Sequence, residues 1–234
     1  MASATTKAKE AKSSSKAPVF AEGLCFKKLF FIFVIGSVFG DFYERILTLV
    51  AHFMGGDPFF WERRSAVIYG PFSIIYGIGA VLMVLAFARK KYTWWQILIF
   101  GGLICGIFEY LMGLFQQIFT GTSSWDYSDH WLNIGGKTSP YIMLVWGIIC
   151  LGFIKYLYPL LSSWIEKIPA KIGNYLFWFL LIFLIIDMLL SFSAVVKMNL
   201  RHHDMPTLTP YGKFLDTVYP DDRIHKAYPN MIDI

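Results

Sequence analysis

The sequence predicts an all-α polytopic membrane protein: a five-transmembrane-helix bundle with a disordered basic N-terminal tail and a short helical C-terminal tail. Hydrophobic residues make up 56% of the 234 residues, and the mean hydropathy is +0.52. Such a composition is too apolar for a soluble domain of this size. A bilayer core requires roughly 20 apolar residues per helix. Five segments approach that requirement: Leu29–Met54, Ile68–Ala88, Trp95–Phe119, Tyr141–Tyr158 and Tyr175–Val196.

The two ends of the chain differ from this apolar middle. Residues 1–22 are rich in Ala, Ser, Thr and Lys, and they bury too little apolar surface to offset the entropy of ordering. We therefore expect a disordered tail at 1–22, a membrane domain at 23–197 and an extracytoplasmic tail at 198–234. Prolines bound two short helical segments in this last part. The sequence assigns no role to His202 or His203.

Lysine and arginine residues predict the orientation. Seven of them precede the first span or lie in the loops on the same side: Lys27, Lys28, Arg89, Lys90, Lys91, Lys167 and Lys171. The two short loops on the other side hold three: Arg63, Arg64 and Lys137. By the positive-inside rule the N-terminus is cytoplasmic and the C-terminus extracytoplasmic, with the protein in the cell membrane. The net charge of +5 is therefore a topology signal, and no patterned basic groove indicates nucleic acid.

Charged side chains interrupt the apolar segments. A carboxylate at the centre of a span costs about 2.5–3.5 kcal/mol on insertion scales, so such residues usually mark a site or a partner. Asp41 and Arg45 are four apart and can pair along one helix face, which leaves Glu44 in need of another partner. Asp187 has no basic neighbour in sequence, and its role stays open. Glu109 shares a helical stripe with three glycines that must face into the bundle: Gly102, Gly106 and Gly113.

Placing each charge by depth predicts one polar cavity in the outer half of the membrane. Glu44, Arg64 and Glu109 are expected to form its floor, because convergence would let the arginine offset the carboxylates. The rim and the remaining substrate-binding residues are expected in two places, the loop between the third and fourth spans, which we call the polar loop, and the start of the second span. They are Trp125, Asp126, Tyr127, Ser128, Asn133 and Tyr69. The alternative is separate local ion pairs, which would account well for Asp41 and Arg45.

Two motifs in the polar loop do not support a cofactor. Gly136-Lys137-Thr138 resembles the end of a P-loop, but that motif requires glycine where this chain has Trp131. Asp126, Asp129 and His130 could ligate a metal if they shared a helical turn, yet Asp before short turns usually caps backbone N–H groups. We therefore predict neither a metal nor another cofactor. The three cysteines show no CxxC spacing and are expected to be packed thiols.

Several segments together resemble a bacterial family of ABC-transporter type IV, permease-like membrane proteins. They are R-S-A-V-I-Y-G-P-F-S-I-I-Y-G-I-G-A from Arg64, the helix of Glu109, W-D-Y-S from Trp125, Asn133 with Gly135, and the ending Y-P-D-D-R-I-H-K-A-Y-P-N-M. The resemblance covers nearly the whole chain after the N-terminal tail. It implies a small multi-pass bacterial membrane protein with a role in transport.

These features support three functional hypotheses. The first is a permease-type component, not itself an enzyme, that binds a small solute in an outward-facing polar cavity. It requires the bilayer, and a separate ATPase subunit or a homo-oligomer, because the sequence carries no ATPase motif and five helices are few for a full pathway. The second is an intramembrane enzyme acting on a lipid-linked or envelope substrate, with Glu44 or Glu109 as general base. The third is a scaffold or regulatory subunit. The sequence does not name the substrate.

Overall fold

The computed structural model describes residues 19–55 and 63–233. Residues 1–18 of the tail that we expect to be disordered lie outside these ranges. The helices are α1 Phe26–Phe53, α2 Ile74–Phe87, α3 Trp94–Thr120, α4 Pro140–Gly152, α5 Tyr158–Glu166, α6 Ala170–His202, α7 Pro210–Val218 and α8 Asp221–Ala227, and a π-helical turn, Phe153–Leu157, joins α4 to α5. Two short antiparallel strands, β1 Thr122–Ser123 and β2 Ile232–Asp233, pair the end of α3 with the end of the described chain.

Three helical stretches are long and apolar enough to cross a membrane. They are Trp94–Thr120, Pro140–Glu166 and Ala170–His202, of 27, 27 and 33 residues. Large apolar side chains stay exposed on their surfaces, as at Ile107 and Phe179, which are 54% and 66% exposed. Extended apolar surface of this kind suits contact with lipid rather than water. The chain is an all-α membrane protein.

Glycines allow the helices to pack closely in pairs. A Cβ at Gly40 would lie 2.4 Å from the ring of Tyr76, which places α1 against α2. A Cβ at Gly102 would lie 2.4 Å from the carbonyl oxygen of Met143, which places α3 against α4. Gly102, Gly106, Glu109 and Gly113 are all buried, so the stripe on α3 faces inward as predicted.

The second predicted span begins later than the sequence indicates. The hydropathy pattern predicts a helix over Ile68–Ala88, but α2 starts at Ile74 and has 14 residues, which is about 21 Å at 1.5 Å per residue. Gly70 takes a positive φ of 77°, a left-handed conformation that ends any helix at this point. The described residues before α2, 63–73, are non-helical, and we call them the approach to α2; Pro71 lies among them.

Two aspartates satisfy the backbone of this non-helical approach. The side chain of Asp41 accepts bonds from Ser65 Oγ at 2.7 Å and from the backbone N–H of Arg64 at 3.3 Å. Asp187 on α6 accepts from the backbone N–H of Tyr69 at 3.2 Å. Irregular backbone inside a membrane protein requires such internal partners. Asp41 also pairs with Arg45 at 2.7 Å, as their four-residue spacing predicts.

The C-terminal segment, residues 203–233 after α6, packs against α6 and the approach to α2. Its apolar side chains form a cluster with α6 and the approach to α2 that includes Ile68, Met198, Leu215 and Ile224. Arg201 fixes the two short helices, because its guanidinium donates to Asp216 on α7 at 2.8 Å and to Asp221 on α8. The segment is thus held by both apolar burial and ion pairs.

Candidate functional site

A cavity of about 460 Å³ lies where α1, α2, α3, the polar loop and the C-terminal segment meet. Five of the residues predicted for the binding site line it: Glu44, Arg64, Glu109, Trp125 and Tyr127. They come from four separate parts of the chain, two helices, the approach to α2 and the loop after α3. The structure therefore places the predicted floor residues, and two of the predicted rim residues, around one space.

Glu109 is the most enclosed carboxylate of this cavity. Its side chain is buried on α3, with a residue exposure of 5%. One carboxylate oxygen lies 3.3 Å from the Tyr127 hydroxyl, and the other lies 3.2 Å from Oγ1 of Thr138. The indole of Trp146 also lies near this carboxylate. Burial, together with the negative charge of Glu109, raises the pKa of Tyr127 above its usual range, so this tyrosine stays a hydrogen-bond donor.

Glu44 and Arg64 form the second charged part of the cavity. Glu44 is half-buried in the second half of α1, where it interacts with the positive charge of Arg64 and lies near the Tyr76 hydroxyl. The backbone N–H of Arg64 is bound by Asp41, about one helical turn before Glu44. The same aspartate thus fixes the backbone at Arg64, a residue that lines the cavity together with Glu44.

The polar loop, residues 121–139, folds back over the C-terminal part of α3. Gly113 leaves room for this contact, since a Cβ there would lie 3.2 Å from the ring of Trp125. The Trp125 indole donates to the carbonyl oxygen of Lys137 at 3.0 Å. Gly136 closes the loop with a φ of 68°, and its carbonyl oxygen accepts a hydrogen bond from the backbone N–H of Tyr127 at 2.7 Å. The Gly-Lys-Thr sequence therefore belongs to a turn of this loop.

Four other predicted site residues, Tyr69, Asp126, Ser128 and Asn133, are not among the residues that line the cavity. The exposed Asp126 accepts two bonds from Ser128, at 2.6 and 2.9 Å, and these bonds lower its pKa. Asn133 donates to the Ser128 carbonyl at 2.8 Å. The hydroxyl of Tyr69 meets that of Tyr219 in the C-terminal segment at 2.9 Å. Asp126, Ser128 and Asn133 therefore form bonds that close the loop, whereas Tyr69 contacts the C-terminal segment.

The cavity also contains residues that were not predicted as part of the site. Gln116 lies two turns after Glu109 on the same face of α3, a spacing that could have indicated it. Tyr76 and Trp146 also line the cavity. Asn230 enters from the C-terminal segment, where its amide donates to the Ser124 carbonyl at 3.0 Å. No local pattern links Asn230 to residues more than 100 positions away.

The metal alternative receives no geometric support from the loop. Nδ1 of His130 lies 3.2 Å from the Ser139 hydroxyl, while Asp126 is bound to Ser128. Within residues 19–55 and 63–233, no group of three or more His, Cys, Asp or Glu side chains is arranged to hold a metal ion.

Comparison with known proteins decides the family. The model of the family described as "Putative ABC-transporter type IV" matches residues 31–192, which is more than half of the chain. The chain belongs to this family. The matched region of this ABC-transporter type IV member includes most of α1, all of α2 to α5, most of α6 and the polar loop. Searches of curated proteins and of solved structures gave no match. Family membership and the apolar helices together indicate a membrane protein related to transport.

Proposed function

We propose that this protein is a permease-type membrane component of a transporter and that it binds a small solute in the cavity between Glu44, Arg64 and Glu109. The observation that carries the proposal is that three ionisable side chains line one cavity. One comes from α1, one from the approach to α2, and one from α3. Isolated charges of this kind are costly in a membrane and are found mainly on substrate or ion pathways.

The proposal includes a topology of five crossings. The second crossing would consist of α2 together with its non-helical approach, whose backbone is satisfied by Asp41 and Asp187. The distribution of basic residues supports a cytoplasmic N-terminus. The cavity then lies in the outer half of the membrane, and the C-terminal segment covers it from outside, since Asn230 contributes to its wall.

A permease of this size needs partners. We propose that a separate ATPase subunit supplies ATP hydrolysis and that a second membrane chain, or a second copy of this one, completes the pathway. Family membership supports this arrangement, because transport by ABC systems combines membrane subunits with ATPases. The substrate would be a small molecule with polar groups that complement two carboxylates and one guanidinium.

Native mass spectrometry of the gently purified protein tests the proposal. We expect bound small molecules in the wild type and their loss in Glu44→Gln and Glu109→Gln. A hydrogen bond to a charged group contributes about 1.5–3 kcal/mol, so each variant should bind roughly 10- to 150-fold more weakly. Glu22→Gln is the matched control, since Glu22 is exposed and outside the cavity. Equal adducts in Glu109→Gln and in Glu22→Gln, with both proteins folded, would contradict the proposal.

A further inference from the structure

A second cavity adjoins the one around Glu109. It is an apolar space of about 310 Å³ between α1, α2, α4 and the π-helical turn. Phe39, Met83, Ile149 and Leu161 are among its lining residues. Within the described part of the chain, its lining includes no carboxylate and no basic side chain. We call this space the apolar groove and the space around Glu109 the polar cavity.

Two aromatic residues separate the apolar groove from the polar cavity and line both. Tyr76 and Trp146 lie with ring centroids 5.4 Å apart, and each belongs to both walls. The polar group of each ring lies near a carboxylate, the Tyr76 hydroxyl near Glu44 and the Trp146 indole N–H near Glu109. The apolar ring bodies face the groove. Such amphipathic rings are suited to a boundary between a polar and an apolar compartment.

The apolar groove is open on the side that faces lipid. Its edges carry exposed apolar side chains, with Phe39 and Ile148 both 57% exposed. Gly152 contributes a stretch of wall without a side chain, and a Cβ there would have no heavy atom within 4 Å. From Tyr43 to Ile35 the groove follows α1 for about 12 Å at 1.5 Å per residue. An acyl chain lying along the helices fits this shape, and the bilayer supplies such chains.

The charges of the polar cavity select the other end of the ligand. Glu44 and Glu109 are two carboxylates, whereas Arg64 is one guanidinium, so the formal charge of the three is negative. Carboxylates accept hydrogen bonds and do not donate them. A primary ammonium group supplies both the positive charge and N–H donors, and charge-assisted bonds of this type are strong. The guanidinium of Arg64 lines the same cavity and suits a phosphate next to the amine.

We propose that the polar cavity and the apolar groove are two halves of one site for an amphiphile. Its amine-bearing headgroup lies between Glu44 and Glu109, and its acyl chain lies in the groove. The Tyr76–Trp146 pair marks the junction of the two halves. This inference rests on the proposed function and names its substrate class, a lipid-like molecule that enters from the bilayer.

Photolabelling in nanodiscs tests this inference. The probe is phosphatidylethanolamine with a diazirine on one acyl chain, and phosphatidylcholine and phosphatidylglycerol with the same chain are compared with it. Choline is cationic but has no N–H donor, and the glycerol headgroup leaves the lipid anionic. We expect the ethanolamine probe to label Met83 and Leu161 at least about fivefold more than the other two probes do, which is the selectivity expected from a charge-assisted bond. Labelling of the lipid-facing Phe179 should not depend on the headgroup.

Three variants separate the two halves of the site. Gly152→Leu adds a side chain where the structure has open space, so it should remove the enriched labelling of the groove without loss of folding. Glu109→Gln should remove the headgroup preference. Leu189→Phe adds bulk at a lipid-facing residue, 64% exposed, and should leave the pattern unchanged.

The outcomes distinguish this inference from the proposed function. Groove labelling that is equal for all three headgroups, or that survives Gly152→Leu, overturns the amphiphile site. If solute adducts still depend on Glu109 in that case, the small-solute function stands without it. If the adducts do not depend on Glu109 either, both proposals fail.

Discussion

Gly147 allows α4 to approach α3, and its replacement by alanine should force the two helices apart. A Cβ at this position would lie 2.3 Å from the carbonyl oxygen of Leu98, whereas ordinary van der Waals contact begins at 3.4 Å. The shortfall is 1.1 Å, and backbone cannot rotate aside as a long side chain can. Overpacking of this kind costs about 1–3 kcal/mol.

Gly152→Ala on the same helix is the matched control. An added Cβ there has no heavy atom within 4 Å. Alanine is better than glycine inside a helix by about 1 kcal/mol, and this gain applies to both variants. It therefore cancels when the two are compared. We expect Gly147→Ala to be less stable than Gly152→Ala by about 1–3 kcal/mol, the full cost of overpacking.

Unfolding of both variants by SDS titration, followed by circular dichroism, measures this difference. Trp146, which precedes Gly147, lines the polar cavity together with Glu109. Separation of the helices should therefore also disturb the polar cavity and weaken any ligand adduct in Gly147→Ala. Equal midpoints for Gly147→Ala and Gly152→Ala would show that α3 and α4 do not pack as closely as the structure indicates.

Two further predictions concern the C-terminal segment and the topology. Burial opposes ionisation of Asp216 and Asp221, yet hydrogen bonds and the charge of Arg201 hold the pKa of each below the ordinary 3.8. Their contribution to docking should be complete above that pH and should be lost as the pH falls below it. Hydrogen exchange, corrected for intrinsic rates, should show a loss of protection in α7 and α8 when the pH is lowered to about 3 and below, and unchanged protection would count against the ion pairs. A cysteine introduced at the exposed Asp129 should react with an impermeant reagent from outside, while one at the exposed Lys90 should not; the reverse pattern would invert the proposed topology.

The sequence was informative about the fold where the signal is local and repetitive. Long apolar runs identified α3, α4 with the π-helical turn, and α6, because a bilayer imposes a minimum length on every crossing; α5 extends beyond the predicted fourth span, which ends at Tyr158. The glycine spacing on α3 indicated its buried face. The non-helical approach to α2 was missed, because the apolar residues around Gly70 and Pro71 satisfy a hydropathy criterion regardless of backbone conformation. Hydropathy measures the side chains, whereas the positive φ of Gly70 concerns the backbone.

The candidate site was predicted in part for a similar reason. Charged residues in apolar runs are few, so Glu44, Arg64 and Glu109 could be chosen on energetic grounds alone. Loop residues gave a weaker signal, because Asp, Ser and Asn serve in turns as readily as in sites. Asp126 and Asn133 proved to close the loop. Asn230 reaches the cavity only through the tertiary packing of the C-terminal segment.

The buried carboxylates of this chain divide into two classes that the sequence alone does not separate. Asp41 and Asp187 accept hydrogen bonds from backbone N–H groups of the approach to α2. They therefore satisfy backbone donors in a segment that is not helical. Glu44 and Glu109 line the polar cavity, and Glu109 receives side-chain hydrogen bonds from Tyr127 and Thr138. The first class makes the second possible, because the irregular backbone that Asp41 stabilises is the segment that carries Arg64.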